Sequence, residues 1–131
     1  VKRLVSAIFL MALSPIASAI CVFAGEFTGH SYLKGDNFVE KEKSFGEQVF
    51  QIDTKTESAS VTPSDTFCIR IAEEVLWCEA LGGGEHERMF EFWTIDMEAR
   101  TVIYTKNRKS KSIDALSGGT LLKGKVLSTC G

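Results

Sequence analysis

Few side chains in this sequence could do chemistry. His86 stands between Glu85 and Glu87, directly after Gly82-Gly83-Gly84. In a mobile loop that arrangement could offer a metal ligand or a general acid, because imidazole titrates near neutral pH. The plainer reading, a solvated loop histidine, is the one adopted here. His30 has no identifiable partner and is expected at the surface. Lys106, Arg108, Lys109 and Lys111 form the one basic cluster beyond the N-terminal segment. Such a cluster can meet an anionic surface such as lipopolysaccharide, cell-wall polymer or nucleic acid. It can equally be a soluble hairpin tip whose charges prevent edge pairing, and that reading is preferred. No G-x-S-x-G elbow, H-E-x-x-H pair or phosphate-cradling glycine loop occurs, so neither an enzyme nor a cofactor is expected.

The four cysteines are Cys21, Cys68, Cys78 and Cys130. No C-x₂₋₄-C spacing occurs, so no zinc or other metal site is expected. An even number in a small exported domain reads as two disulfides, with three connectivities open. The choice depends on Thr66 to Leu81, TFCIRIAEEVLWCEAL, for which two readings stand. As a helix it would be capped by Ser64 or Asp65 and ended by the three glycines. As strands, Phe67, Ile69 and Ile71 alternate with Cys68 and Arg70, a turn falls at the glutamates, and Val75-Leu76-Trp77 follow. A hairpin centred on Glu73 sets Cys68 opposite Cys78, within disulfide reach. In a helix those two would be ~15 Å apart along the axis and could not bond. The hairpin is favoured because the flanking segments also read as strands. It pairs Cys68 with Cys78 and leaves Cys21 for Cys130.

The element organising the rest is Phe90 to Lys106, FEFWTIDMEARTVIYTK, the densest run of aromatic and β-branched residues. It reads as an antiparallel hairpin broken at Asp96 to Arg100. That connection sets Ile95 opposite Thr101, Trp93 opposite Ile103 and Phe92 opposite Tyr104. Around it the sequence predicts a first strand over Cys21 to Leu33, bent by its glycines. A charged, turn-rich stretch from Lys34 to Lys43 follows, then a strand over Val49 to Asp53 and a weak edge strand near Ser58 to Thr62. Gly82 to Arg88 reads as a polar loop, Asn107 to Ser112 as a charged turn, Gly118-Gly119 as another turn, and Leu121 to Cys130 as the last strand. Val49-Phe50-Gln51-Ile52-Asp53 echoes Phe92-Trp93-Thr94-Ile95-Asp96, which suggests two hairpins with similar turns. The sum is a single all-β domain, an antiparallel barrel or sandwich of about seven to nine strands. Trp77 and Trp93 are expected in its core.

Lys2 and Arg3, the apolar run Leu4 to Ile16 and Ala17-Ser18-Ala19 read as a secretory signal peptide over residues 1–19, cleaved after Ala19. The run falls short of the ~20 apolar residues that span a bilayer, and Ser14-Pro15 interrupt it. A lipid anchor on Cys21 is disfavoured because Ile20 stands where a small residue is needed. The chain opens with Val, as a bacterial GTG start or a truncated chain would give. Residues 20–131 then form the domain, 112 residues from 131 minus 19. Losing Lys2 and Arg3 leaves 13 basic against 17 acidic residues, a net charge of −4. That mild acidity argues against a nucleic-acid partner. A periplasmic or secreted bacterial protein with no membrane span after cleavage is expected.

The hairpin geometry predicts that the segment entering it and the segment leaving it reach the same end. A partner-binding surface is therefore expected from Glu85, His86, Glu87 and Arg88 together with Lys106, Arg108, Lys109 and Lys111. At the tail, Ser117-Gly118 and Lys123-Gly124 are similar in type to the Ser-Gly and Lys-Gly pairs of small periplasmic lysozyme inhibitors of bacteria, which are disulfide-bearing β-barrels. The spacing here is shorter, that family's tyrosine is missing, and the likeness covers only the C-terminal tail. It implies a class, an inhibitor-type exported barrel, and transfers no residue roles. The expected function is non-enzymatic binding or inhibition directed at a macromolecule of the cell envelope or an extracellular protein. The alternative is a barrel carrying a small ligand. Eight phenylalanines remain after residue 19, and a small barrel usually fills its interior with such side chains, which favours binding through the surface.

Overall fold

The computed structural model describes residues 19–64, 66–80 and 87–130. The segment read as a signal peptide lies outside them apart from Ala19, and so do Glu85 and His86.

The central hairpin is present as β7, Glu87–Asp96, and β8, Thr101–Ser110. Its register differs from expectation by one residue. Asp96 pairs with Thr101, Ile95 with Val102, Trp93 with Tyr104 and Phe92 with Thr105. The cause is the turn. Asp96 stays in the strand while its side-chain Oδ1 accepts the Ala99 N–H at 2.8 Å, which leaves four connecting residues. Arg100 closes them in the left-handed region at φ 53°, and its carbonyl accepts the Val126 N–H at 3.0 Å. A one-residue slip exchanges every opposed pair. The true register sets buried Trp93 against buried Tyr104 instead of half-exposed Ile103.

β5, Thr66–Ala72, and β6, Val75–Ala80, form the second hairpin, with Cys68 opposite Cys78 and a bulge between Arg70 and Ala72. That settles the helix-or-hairpin question for the described part of this stretch. The two sulfurs are bonded across a Cα–Cα distance of 4.1 Å, and Cys21 is bonded to Cys130. Cys68 and Cys78 face inward, so Phe67, Ile69 and Ile71 lie on the outer face and stay exposed. Trp77 is likewise on the outside, half-buried and stacked on Phe90 at 5.8 Å, whereas Trp93 lies in the core as expected.

β1, Cys21–Leu33, is long and bent. Its first part pairs with β3, Phe50–Asp53, and its second with β2, Lys41–Ser44. The bend falls between Gly25 and Thr28, but the left-handed residue is Glu26 at φ 56°. Its carboxylate pairs with Lys125 at 2.8 Å. β2 is a strand where the sequence predicts a turn-rich stretch, because KEKS shows no apolar alternation and all four residues are exposed. β4, Ser60–Thr62, pairs with β3. Asp53 also binds its own turn, its Oδ1 accepting the Lys55 N–H at 3.0 Å. This N–H is two residues on and not three as at Asp96, and the connection to β4 is longer, so the echoed segments do not lead into similar turns.

β9, Gly118–Thr129, pairs with both β8 and β1 and is longer than expected. Gly118 and Gly119 are strand residues, as are Asn107 to Ser110. Gly118 is needed for close approach, since a Cβ there would meet the Tyr32 carbonyl oxygen at 1.9 Å. The sheet runs β4-β3-β1-β9-β8-β7-β6-β5, with β2 also on β1. Every neighbour is a chain neighbour except β1 with β9 and β3, and the two ends, β4 and β5, are joined through Pro63. The result is an antiparallel, nearly closed barrel and not a sandwich.

Inward positions fill one half of the barrel with apolar side chains. Trp93 meets Tyr104 at 4.5 Å, Phe50 at 5.1 Å and Phe27 at 5.7 Å between ring centroids, and Phe45 meets Tyr104 at 5.1 Å. Gly124 leaves room for this cluster, because a Cβ there would lie 2.5 Å from the Phe27 ring. Gly124→Ala should therefore lower unfolding free energy by about 1–3 kcal/mol in urea titration, the usual cost of overpacking. An unchanged midpoint would mean that Phe27 is free to move aside.

The two disulfides fit an oxidising compartment. Among the described residues, no helix is long and apolar enough to cross a membrane.

Candidate functional site

The inner face of β7 and β8 changes character along its length. Beyond Trp93 and Tyr104 the next inward pair is Glu91 and Lys106, and then come Arg108, Ser110 and Glu87. The end of the barrel opposite the Met97–Arg100 turn is therefore a charged mouth above an aromatic floor.

Glu91 is buried, and its oxygens accept the Tyr104 hydroxyl at 3.1 Å and the Trp93 indole N–H at 3.4 Å. Burial, reinforced by the Glu91 charge and hydrogen bond, holds the Tyr104 phenol far above its usual range, so it remains a donor. The Lys106 amine is pushed down, first by desolvation and further by Arg108 and Lys43, with Glu91 opposing. Lys43 reaches this place from β2, where it pairs with Gly29 of β1. Lys43, Lys106 and Arg108 line a recess of about 160 Å³ together with Ser31, Thr120, Gly118, Gly119 and two leucines, Leu33 and Leu116. Among the described residues, neither Lys43 nor Lys106 forms an ion pair.

The expected binding residues divide between faces. Glu87 and Arg88 begin β7, Lys106, Arg108 and Lys109 lie in β8, and Lys111 follows in a bend. Glu87 accepts the hydroxyls of Ser110 and Ser112, each at 2.5 Å, and pairs with Arg108 at 3.4 Å. Those two hydroxyls, then Arg108, hold its carboxyl below the usual range. Within the expected surface, Glu87 and Arg108 thus meet as an acid–base pair. Lys109 instead pairs with Asp114 at 3.2 Å, and Asp114 also binds Lys34. Lys34 and then Lys109 keep the Asp114 carboxyl low. Arg88 is exposed on the outer face opposite Lys109. His30 is exposed too, but it has a partner that sequence reading missed, Glu40 at 2.9 Å.

At the tail, Ser117 is buried, accepts the Ser110 N–H at 3.0 Å and donates to the Ser110 carbonyl at 3.2 Å. Lys123 is exposed on the outer face of β9. The Ser-Gly pair is therefore part of the scaffold that closes β8 onto β9.

Glu91 and Lys43 were missed. Counting by twos back from Trp93 would have put Glu91 inside. Nothing local marks Lys43, which lies in a strand without alternation. No protein-family model, curated protein or solved structure matches the chain.

Proposed function

We propose that the chain is an exported bacterial protein, periplasmic or secreted, that binds a macromolecule of the cell envelope or an extracellular protein without catalysing a reaction. Its working surface is the charged mouth and the adjoining ends of β7 and β8. The observation carrying this reading is the division of the barrel interior. One half is closed by Phe27, Phe45, Phe50, Trp93 and Tyr104 in mutual contact, while Lys43, Lys106 and Arg108 gather at the other. A carrier of apolar ligands needs an open apolar interior, and the aromatic cluster occupies that space. An inhibitor-type protein needs only a rigid surface, which two disulfides and a filled barrel provide.

Pairing at the mouth decides which variants test the idea. Reversing Arg108 and Lys109 would press carboxylates against Glu87 and Asp114 and would cost stability as well as binding. Arg88 and Lys111 are exposed and, among the described residues, unpaired. Arg88→Glu with Lys111→Glu should change unfolding free energy by no more than about 0.5 kcal/mol. The same double variant should retain several-fold less partner from a cell-envelope extract, measured by quantitative mass spectrometry after cross-linking. Equal capture would move the working surface away from this end of the barrel.

A further inference from the structure

We propose that the recess between β1, β2, β8 and β9 is an oxyanion site. It takes a carboxylate or phosphate group of a larger ligand between the ammonium groups of Lys43 and Lys106, with the Arg108 guanidinium beside them. The site's biological role rests on the binding function proposed above, but its existence is argued from the recess alone.

Three cations from two strands line this small space, and the nearby carboxylates are turned to other tasks. Glu87 is held by Ser110, Ser112 and Arg108, and Glu91 points its oxygens at Tyr104 and Trp93. A lysine ammonium has three donors to satisfy. Among the described residues, neither Lys43 nor Lys106 donates to a protein acceptor, although Asp114 is taken by Lys34 and Lys109 nearby. Desolvation first, then the charges of Arg108 and Lys43, disfavour the charged form of Lys106 against the pull of Glu91. An entering anion offsets the repulsion among the three cations.

The wall supplies the remaining features of such a site. Ser31 and Thr120 line it beside the strand residues Gly118 and Gly119, with Leu33 and Leu116 completing the wall. At about 160 Å³ the space is smaller than the roughly 300–1,000 Å³ that encloses a drug-sized molecule. It suits a charged group presented by a ligand that stays largely outside. A neighbouring recess shares Lys43 and carries Glu42 and Lys123 on its rim, so the anion's place is on the Lys106 side, away from that carboxylate.

Titration of the isotope-labelled protein with sodium acetate and with inorganic phosphate, at constant ionic strength held by chloride, tests the site. The amide signals of Gly118, Gly119 and Thr120 should shift saturably with at least one probe, with a Kd on the order of 1 mM. Saturation by acetate assigns a carboxylate ligand, and saturation by phosphate alone assigns a phosphorylated one. Lys43→Gln and Lys106→Gln should each weaken binding about tenfold, as loss of a charge-assisted hydrogen bond predicts. Lys106→Arg should retain binding, and Lys125→Gln on the outer face should leave it unchanged. Shifts that stay linear with both probes, or that ignore Lys106→Gln, overturn the site. That outcome leaves partner capture by the Arg88 and Lys111 surface intact, so the two ideas fail separately.

Discussion

Trp93→Ala lowers the unfolding free energy by about 3–5 kcal/mol, the cost of deleting a large buried aromatic side chain. The indole is 1% exposed and lies against Phe27, Phe50 and Tyr104 at once. Truncating it leaves a cavity that these rings cannot close, because Phe27 and Phe50 are themselves held by Phe45. It also removes the N–H that Glu91 accepts, leaving a buried carboxylate with the Tyr104 hydroxyl as its remaining side-chain donor. A domain of this size has about 5–15 kcal/mol in total, so the variant should be marginal at 37 °C. Urea unfolding of the wild type, Trp93→Ala and Trp93→Phe provides the check. Phenylalanine keeps much of the packing and loses the hydrogen bond, so its loss should fall between the other two. An alanine variant within 1 kcal/mol of wild type would mean that the aromatic cluster does not hold the barrel together.

Removal of the Cys21–Cys130 bond by the double substitution to alanine should cost up to about 4.7 kcal/mol, the loop-closure value for roughly a hundred residues. The bond spans 109 residues and ties the start of β1 to the end of β9, where the Cys130 N–H also donates to the Cys21 carbonyl at 3.0 Å. It therefore restrains the unfolded chain from end to end while the native β1–β9 ladder survives its loss. The Cys68–Cys78 bond spans only 10 residues within one hairpin, so its entropic share is smaller. Denaturant titration of the double variant, beside wild type with both bonds intact, measures the effect. A loss below 1 kcal/mol would show that the β1–β9 pairing already orders the termini in the unfolded ensemble.

Some of this protein was determined locally and could be read from its residues. The Cys68–Cys78 pair was legible because both cysteines lie five positions from Glu73, although the turn is the two-residue Glu73-Glu74 and the bulge between Arg70 and Ala72 is what brings the cysteines opposite one another. The all-β class followed from short alternating segments separated by turn residues, and the second disulfide followed by elimination. The β7–β8 register was not legible to one residue, because the Asp96 side chain, by accepting the Ala99 N–H, decides how many residues the turn contains. That single residue governs which side chains oppose one another, and it concealed the opposition of Glu91 and Lys106 across the mouth. The basic run from Lys106 to Lys111 was visible as composition, but alternation sends Lys106 and Arg108 inward and Lys109 outward to Asp114. Lys43 depends on tertiary structure altogether. It is 63 positions from Lys106 in the chain and reaches the same recess because β1 bends at Glu26, pairs with β2 on one side and is joined through β9 to β8 on the other. Local propensity and period set which segments are strands. Which charges share a recess was left to strand order and bend, properties of contacts between residues far apart in the chain.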